Sequence, residues 1–145
     1  MREFINSKTA KITYYAHIYS RISYGIEVYG SASKNLLAKL QTLQNKLLKV
    51  LTKRDYRYST NDLHTELDIL KIEGIRDTAL LKFAFNCVQK EPIPNFVGYF
   101  TRRNEIHNHN TRGQNNLDIP YYRTNNGRLT THAMAAELWR SLREI

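Results

Sequence analysis

The sequence predicts a mainly α-helical fold: a bundle of four to five helices followed by a polar, irregular C-terminal extension. Three observations predict it. Apolar residues recur at alternating steps of four and three through residues 15–29 and again through 36–50, the signature of one helix face. Residues 75–90 are apolar almost all round, as in a helix surrounded by other elements. After Pro94 the texture turns polar and rich in Arg and Asn. On composition, the bundle occupies residues 1–100 and the extension residues 101–145.

The first helix is expected over residues 8–30. Tyr15, Tyr19, Ile22, Ile26 and Tyr29 form its inner stripe, Ser7 or Thr9 caps it and Gly30 stops it. Tyr15, Tyr19 and Tyr29 are therefore core residues, while Tyr14 and Tyr24 fall off the stripe and suit the rim. In the second helix, after Ser33 or Asn35, Leu36, Leu40, Leu43, Leu47 and Val50 make a seam that Leu37, Leu48 and Leu51 widen. At about 100° per residue, Lys39, Lys46 and Lys53 align along one flank, with Lys49 nearby.

A short third helix follows from Thr60 to Leu67, with Ser59 or Thr60 as cap and Asp62 in the first turn, where its charge opposes the helix dipole. The apolar fourth helix stops at Glu91-Pro92-Ile93-Pro94, because proline cannot continue the hydrogen-bond ladder. In the extension, Ile119 to Thr124 and Arg128 to Thr131 are candidate hairpin strands around Asn125-Asn126-Gly127, a sequence suited to a tight turn. Tyr121-Tyr122-Arg123 is either a stacking platform or part of the hairpin packing. A last helix over 133–144 carries Met134, Leu138, Trp139 and Leu142, with Trp139 as its docking anchor.

Length and composition bound the class. A chain of 145 residues buries roughly 68–70 % of its unfolded surface, and 41 % hydrophobic residues suit a folded chain. The single cysteine, Cys87, excludes an internal disulfide or a zinc ribbon. No apolar leader and no 18-residue apolar run occurs. The expected location is cytoplasmic or nuclear, with no membrane partner and no small-molecule substrate.

The net charge of +9 is uneven. Residues 1–58 carry +8, residues 59–100 carry −2 and residues 101–145 carry +3. Such asymmetry favours a polyanionic partner. Between Lys34 and Arg54 six cations occur without one acidic residue, whereas an ordinary surface helix intersperses Glu for pairing. Next, Lys53-Arg54-Asp55-Tyr56-Arg57-Tyr58 interleaves cations with aromatics, a mixture suited to phosphate contact and stacking. The candidate contacts are Lys39, Lys46, Lys49, Lys53, Arg54 and Arg57, with a looser set of Arg102, Arg103, Arg112, Arg123 and Arg128. The alternative is a solvated helix face.

No catalytic pattern emerges. His107, His109 and His132 invite a metal reading, but neither Glu105 nor Asp118 completes a recognisable ligand spacing. A loop whose His and Asn side chains satisfy backbone groups is the preferred account of them. There is no Gly-x-Ser-x-Gly elbow and no glycine-rich phosphate loop. Cys87 lies mid-helix among apolar neighbours, where a thiol stays protonated.

Several short strings occur in order. They are Tyr24 to Gly30 (Tyr-Gly-Ile-Glu-Val-Tyr-Gly), Leu43-Gln44-Asn45-Lys46, then Leu67, Ile69 and Leu70. His109-Asn110-Thr111-Arg112 follows, and last Trp139, Ser141 and Leu142. In this order and spacing the set resembles the C-terminal, thumb-side region of reverse transcriptases from non-LTR (LINE-type, jockey-like) retrotransposons. Tyr29 stands where the family more usually has Trp, and Arg140 and Arg143 depart from its closing string.

The resemblance implies a helical thumb that grips a template–primer duplex of RNA, DNA or an RNA–DNA hybrid, beside palm and fingers domains. The catalytic aspartates of the RNA-directed DNA polymerase and the Mg they hold belong to that palm. Here no two aspartates are adjacent, and a two-metal site needs clustered carboxylates. The resemblance thus implies a non-catalytic fragment of a mobile element, with no cofactor and no enzyme activity of its own. The alternatives are a protein–protein docking module or a non-functional remnant.

Overall fold

The computed structural model describes residues 6–89, 94–106 and 113–142. Among them the fold is mainly α-helical and holds no strand, only one antiparallel bridge between Arg102 and Leu117. The chain divides into two compact units, Met1–Arg76 and Asp77–Ile145. The change of composition after residue 100 lies elsewhere, within the second unit.

The first unit opens with a helical run of three parts: α1 (Ser7–Thr13), a π-helical stretch π1 (Tyr14–Tyr19) and α2 (Ser20–Ser23). Asn6 caps it, its Oδ1 accepting from the Lys8 amide. The Ser20 amide donates to the Tyr15 carbonyl, five residues back. This wide turn changes which residues face inward. Ala10, Tyr14, Ile22 and Ile26 are buried and Ile18 is half-buried, a constant step of four that a 3.6-residue helix would let drift by about 40° each time.

The expected tyrosine stripe is corrected accordingly. Tyr14, assigned to the rim, is fully buried, while Tyr15 and Tyr29, assigned to the core, are 38 % and 36 % exposed. The single helix expected over 8–30 is also broken. Tyr24 is extended and Gly25 takes φ +67°, a left-handed angle natural to glycine, before the short α3 (Ile26–Tyr29). Tyr29 folds back and donates its hydroxyl to the Ile22 carbonyl.

Next come α4 (Lys34–Thr52), α5 (Thr60–Leu67) and the start of α6 (Ile72–Val88). Ser59 caps α5, its Oγ accepting from the Asp62 amide at 3.3 Å. The core gathers Tyr14, Leu48, Leu63, Leu67 and Ile69, flanked by Ile18, Tyr19, Leu51 and Tyr58. On α4 the inward face is Gln44 and Leu48. The leucine seam faces out: Leu36, Leu43, Leu47 and Val50 are 56 %, 55 %, 42 % and 72 % exposed.

The second unit packs the rest of α6 with a 3₁₀ turn (Pro94–Phe96), α7 (Arg103–Ile106), α8 (Asn125–Arg128) and α9 (Thr131–Ser141). Its core is Leu80, Ala84, Cys87, Phe100, Leu117, Ala135 and Ala136, so residues on both sides of position 100 share one interior. Phe83 meets Phe96, Tyr99 and Phe100 edge to face at 5.1–6.0 Å. Contrary to an all-round buried helix, α6 leaves Phe85 53 % exposed. Glu91 and Pro92, expected to end this helix, lie outside the described residues.

The candidate hairpin is replaced by helix. Asn125–Arg128 forms one helical turn, because the Thr124 hydroxyl caps it by accepting from the Gly127 amide at 3.2 Å. At Gly127 an added Cβ would lie 2.8 Å from the Tyr122 ring, so the turn is closed against that side chain. Thr130 then caps α9 by accepting from the Ala133 amide at 3.3 Å.

Candidate nucleic-acid interface

The strongest candidate surface lies on α4. Its 19 residues include no Asp or Glu, and Lys39, Lys46 and Lys53 repeat every seven positions. Each is exposed, and at about 100° per residue the three share one side of the helix. Lys53 occupies the C-terminal cap at φ +52°, so the chain turns sharply at the last of the three. Lys49 is half-buried and leans over the following loop, its Nζ donating to the Tyr56 carbonyl at 2.5 Å.

The cations beyond α4 are more committed. Arg54 pairs with Glu66 at 2.8 Å and lies 4.7 Å from the centroid of the Tyr58 ring. The hydrogen bond to Glu66 and its nearby charge push the guanidinium further above its ordinary range. Arg57 donates Nε to the Tyr56 hydroxyl at 2.8 Å and lies 5.3 Å from that ring's centroid. The alternating cations and aromatics of 53–58 thus satisfy one another, leaving Lys39 and Lys46 as the more open pair.

The second candidate set belongs to the other unit. Arg102 and Arg103 are half-buried beside the Arg102–Leu117 bridge, whereas Arg123 and Arg128 are exposed. Arg112 lies outside the described residues, as do His107 and His109. His132 is stacked on Phe100, with ring centroids 4.8 Å apart and planes at 11°, and its Nδ1 has no partner among the described residues. Burial holds its ionisation below the ordinary value, opposed by the Tyr99 backbone and Asp118. Among the described residues no group of three or more His, Cys, Asp or Glu could hold a metal ion. Burial raises the Cys87 thiol, so it is a poor nucleophile.

Two features of the first unit escaped sequence reasoning. One is a cavity of about 380 Å³ at the starts of α4 and α6, where Lys34, Lys71 and Arg76 meet beside Glu73. Lys71 donates to Asn61 at 2.9 Å and Arg76 pairs with Glu73 at 3.4 Å.

The other is a polar network beneath α4. The Gln44 amide donates to the Tyr14 hydroxyl at 2.7 Å and to the Leu70 carbonyl at 2.9 Å. Gln41 accepts from the Ile72 amide and donates to Gln44 and Asn45, each at 2.8 Å. His64 places Nδ1 2.8 Å from the Ile69 carbonyl and Nε2 2.9 Å from Asn45 Oδ1. The available signal was three amides at 41, 44 and 45 in a helix otherwise made largely of Leu and Lys. These bonds lock the rotation of α4, and that rotation aims both its lysine flank and its leucine seam at solvent.

Fold and site together define a mainly helical protein bearing a basic helix flank. No family model matches the chain, and no curated protein or solved structure matches it. No helix among the described residues is long and apolar enough to cross a membrane.

Proposed function

We propose that this chain is a non-catalytic, thumb-like helical unit that binds RNA, DNA or an RNA–DNA hybrid through backbone phosphates. Its motif order is similar to that of the region beyond the palm in a retrotransposon reverse transcriptase. The observation that carries the reading is the exposed Lys39–Lys46–Lys53 flank on a helix without acidic residues. Lys49 and Arg57 lie beside this flank in the chain, whereas Arg54 contributes less because Glu66 already holds it. Arg123 and Arg128 offer further contacts from the second unit.

The test is a fluorescence-anisotropy titration against an RNA–DNA hybrid duplex at several salt concentrations. Four neutralised phosphates give a slope near −0.9 each, so affinity falls roughly 100-fold or more between about 50 and 200 mM salt. Lys39→Glu, Lys46→Glu and Lys53→Glu together abolish that binding. A folded, helical protein that fails to bind at low salt overturns the reading.

A second reading, a protein–protein docking module, is favoured by a different observation: the outward-facing leucine seam of α4.

A further inference from the structure

The seam has a geometry of its own. Leu36, Leu40, Leu43, Leu47 and Val50 follow steps of four and three, the a/d pattern of a helix that packs against another helix. In that frame Lys39, Lys46 and Lys53 all occupy the g position, and Leu37, Gln44 and Leu51 occupy e. The e side is turned into the unit's own interior, with Gln44 1 % exposed and Leu51 packed on the core. The flank left open beside the seam is therefore cationic.

The seam also borders a groove. Ile18 and Ile22 from π1 and α2, with Leu40, Leu43 and Leu47 from α4, line a cavity of about 390 Å³. Arg21, exposed on the side of π1 and α2, also lines it. An apolar floor between two cationic rims is the shape and charge that receive an amphipathic helix with acidic flanks. From Leu36 to Val50 the seam is about 21 Å long at 1.5 Å per residue, two heptads of a partner.

A second copy of this chain fits poorly. Antiparallel pairing would set g against g, lysine against lysine. Parallel pairing would set g against e positions that are already covered.

We propose that this groove docks an amphipathic helix of a partner protein, one carrying Glu or Asp on both sides of an apolar a/d stripe. The proposal rests on the docking reading and is independent of nucleic-acid binding. Because Lys39 and Lys46 would serve either ligand, the acidic helix and nucleic acid exclude one another.

The test uses two fluorescein-labelled synthetic helices with Leu and Ile at a and d, one with Glu and one with Lys at e and g. The Glu helix binds the full chain at micromolar concentration, and the Lys helix binds at least about tenfold more weakly, a difference of about 1.4 kcal/mol. Leu43→Ser with Leu47→Ser, at exposed positions and checked by circular dichroism, weakens the Glu helix tenfold or more and leaves RNA–DNA hybrid affinity unchanged. Lys39→Glu with Lys46→Glu weakens both ligands and restores the Lys helix. Equal binding of the two helices overturns the acidic partner while leaving apolar docking intact. Binding of neither at millimolar concentration overturns docking altogether. Loss with the lysine variant but not the serine variant shows an anion site without a groove.

Discussion

Beneath α4 the first unit buries an amide and an imidazole, and each finds partners: Gln44 with Tyr14, Gln41 and the Leu70 carbonyl, His64 with Asn45 and the Ile69 carbonyl. The second unit instead packs alanines of α9 and a ring cluster around α6. The two buried polar side-chain atoms without partners among the described residues, His132 Nδ1 and Trp139 Nε1, both belong to it. Hydrogen bonds are directional, so the first unit fixes one rotation of its helices. Apolar contacts are not directional, so the second unit is held by shape and volume. The candidate binding surface sits on the unit whose rotation is fixed.

This contrast can be broken at three points. The largest effect is expected from Leu80→Ala, which empties a fully buried position in the second unit. It should cost about 2–5 kcal/mol by urea unfolding, and hydrogen exchange should show the loss of protection beginning in residues 77–142. Gln44→Ala in the first unit follows, at about 1–3 kcal/mol, because the Tyr14 hydroxyl and the Leu70 carbonyl lose their donor in a buried site. It should also loosen the aim of α4 and so weaken hybrid binding without removing a charge. Unchanged stability in this variant would mean that packing alone orients the helix.

The smallest effect tests His132 in the second unit, whose Nδ1 has no partner among the described residues. Burial lowers the ionisation of His132 below its ordinary value of 6.5, so below that pH the unfolded chain binds the proton more readily than the folded one. Stability is then full above about pH 6.5 and falls as pH drops through it. His132→Phe preserves the stack on Phe100, shifts stability at pH 7.5 by about 1 kcal/mol or less, and flattens the decline toward pH 5. A decline as steep as in the parent protein would assign the acid sensitivity to another group.

Much of this architecture was legible in the sequence. The periodic run over 36–50 gave α4, a cap at Ser59 or Thr60 with Asp62 in the first turn gave α5, and the lysine flank followed from sevenfold spacing. The rest was hidden for physical reasons. Periodicity shows that residues share a face but not which of two apolar faces turns inward. On α4 the stripe with the cleaner pattern faces solvent, and the face carrying Gln41 and Gln44 is the buried one.

The stripe of Tyr15, Tyr19, Ile22 and Ile26 assumed 3.6 residues per turn, and π1 breaks that assumption, exchanging Tyr15 for Tyr14. Asn-Gly at 126–127 favours a hairpin only when flanking strands pair. Here Thr124 offered its hydroxyl to the Gly127 amide, and a local cap won over a long-range ladder.

The π-helical stretch also opens the first unit to a kind of change that substitution does not test. Loss of a single codon anywhere from 14 to 19 would let an ordinary α-helix form through the segment. Because the wide stretch takes up one extra residue, the remaining steps from Ala10 to Ile22 would then turn to within about 20° of three full turns, and α1 would keep its facing relative to α2. Ala10 would stay in the interior and Lys11 on the side of Asp68, now 3.1 Å away. In genetic terms, this stretch should bear the loss of one codon better than any other part of the helix.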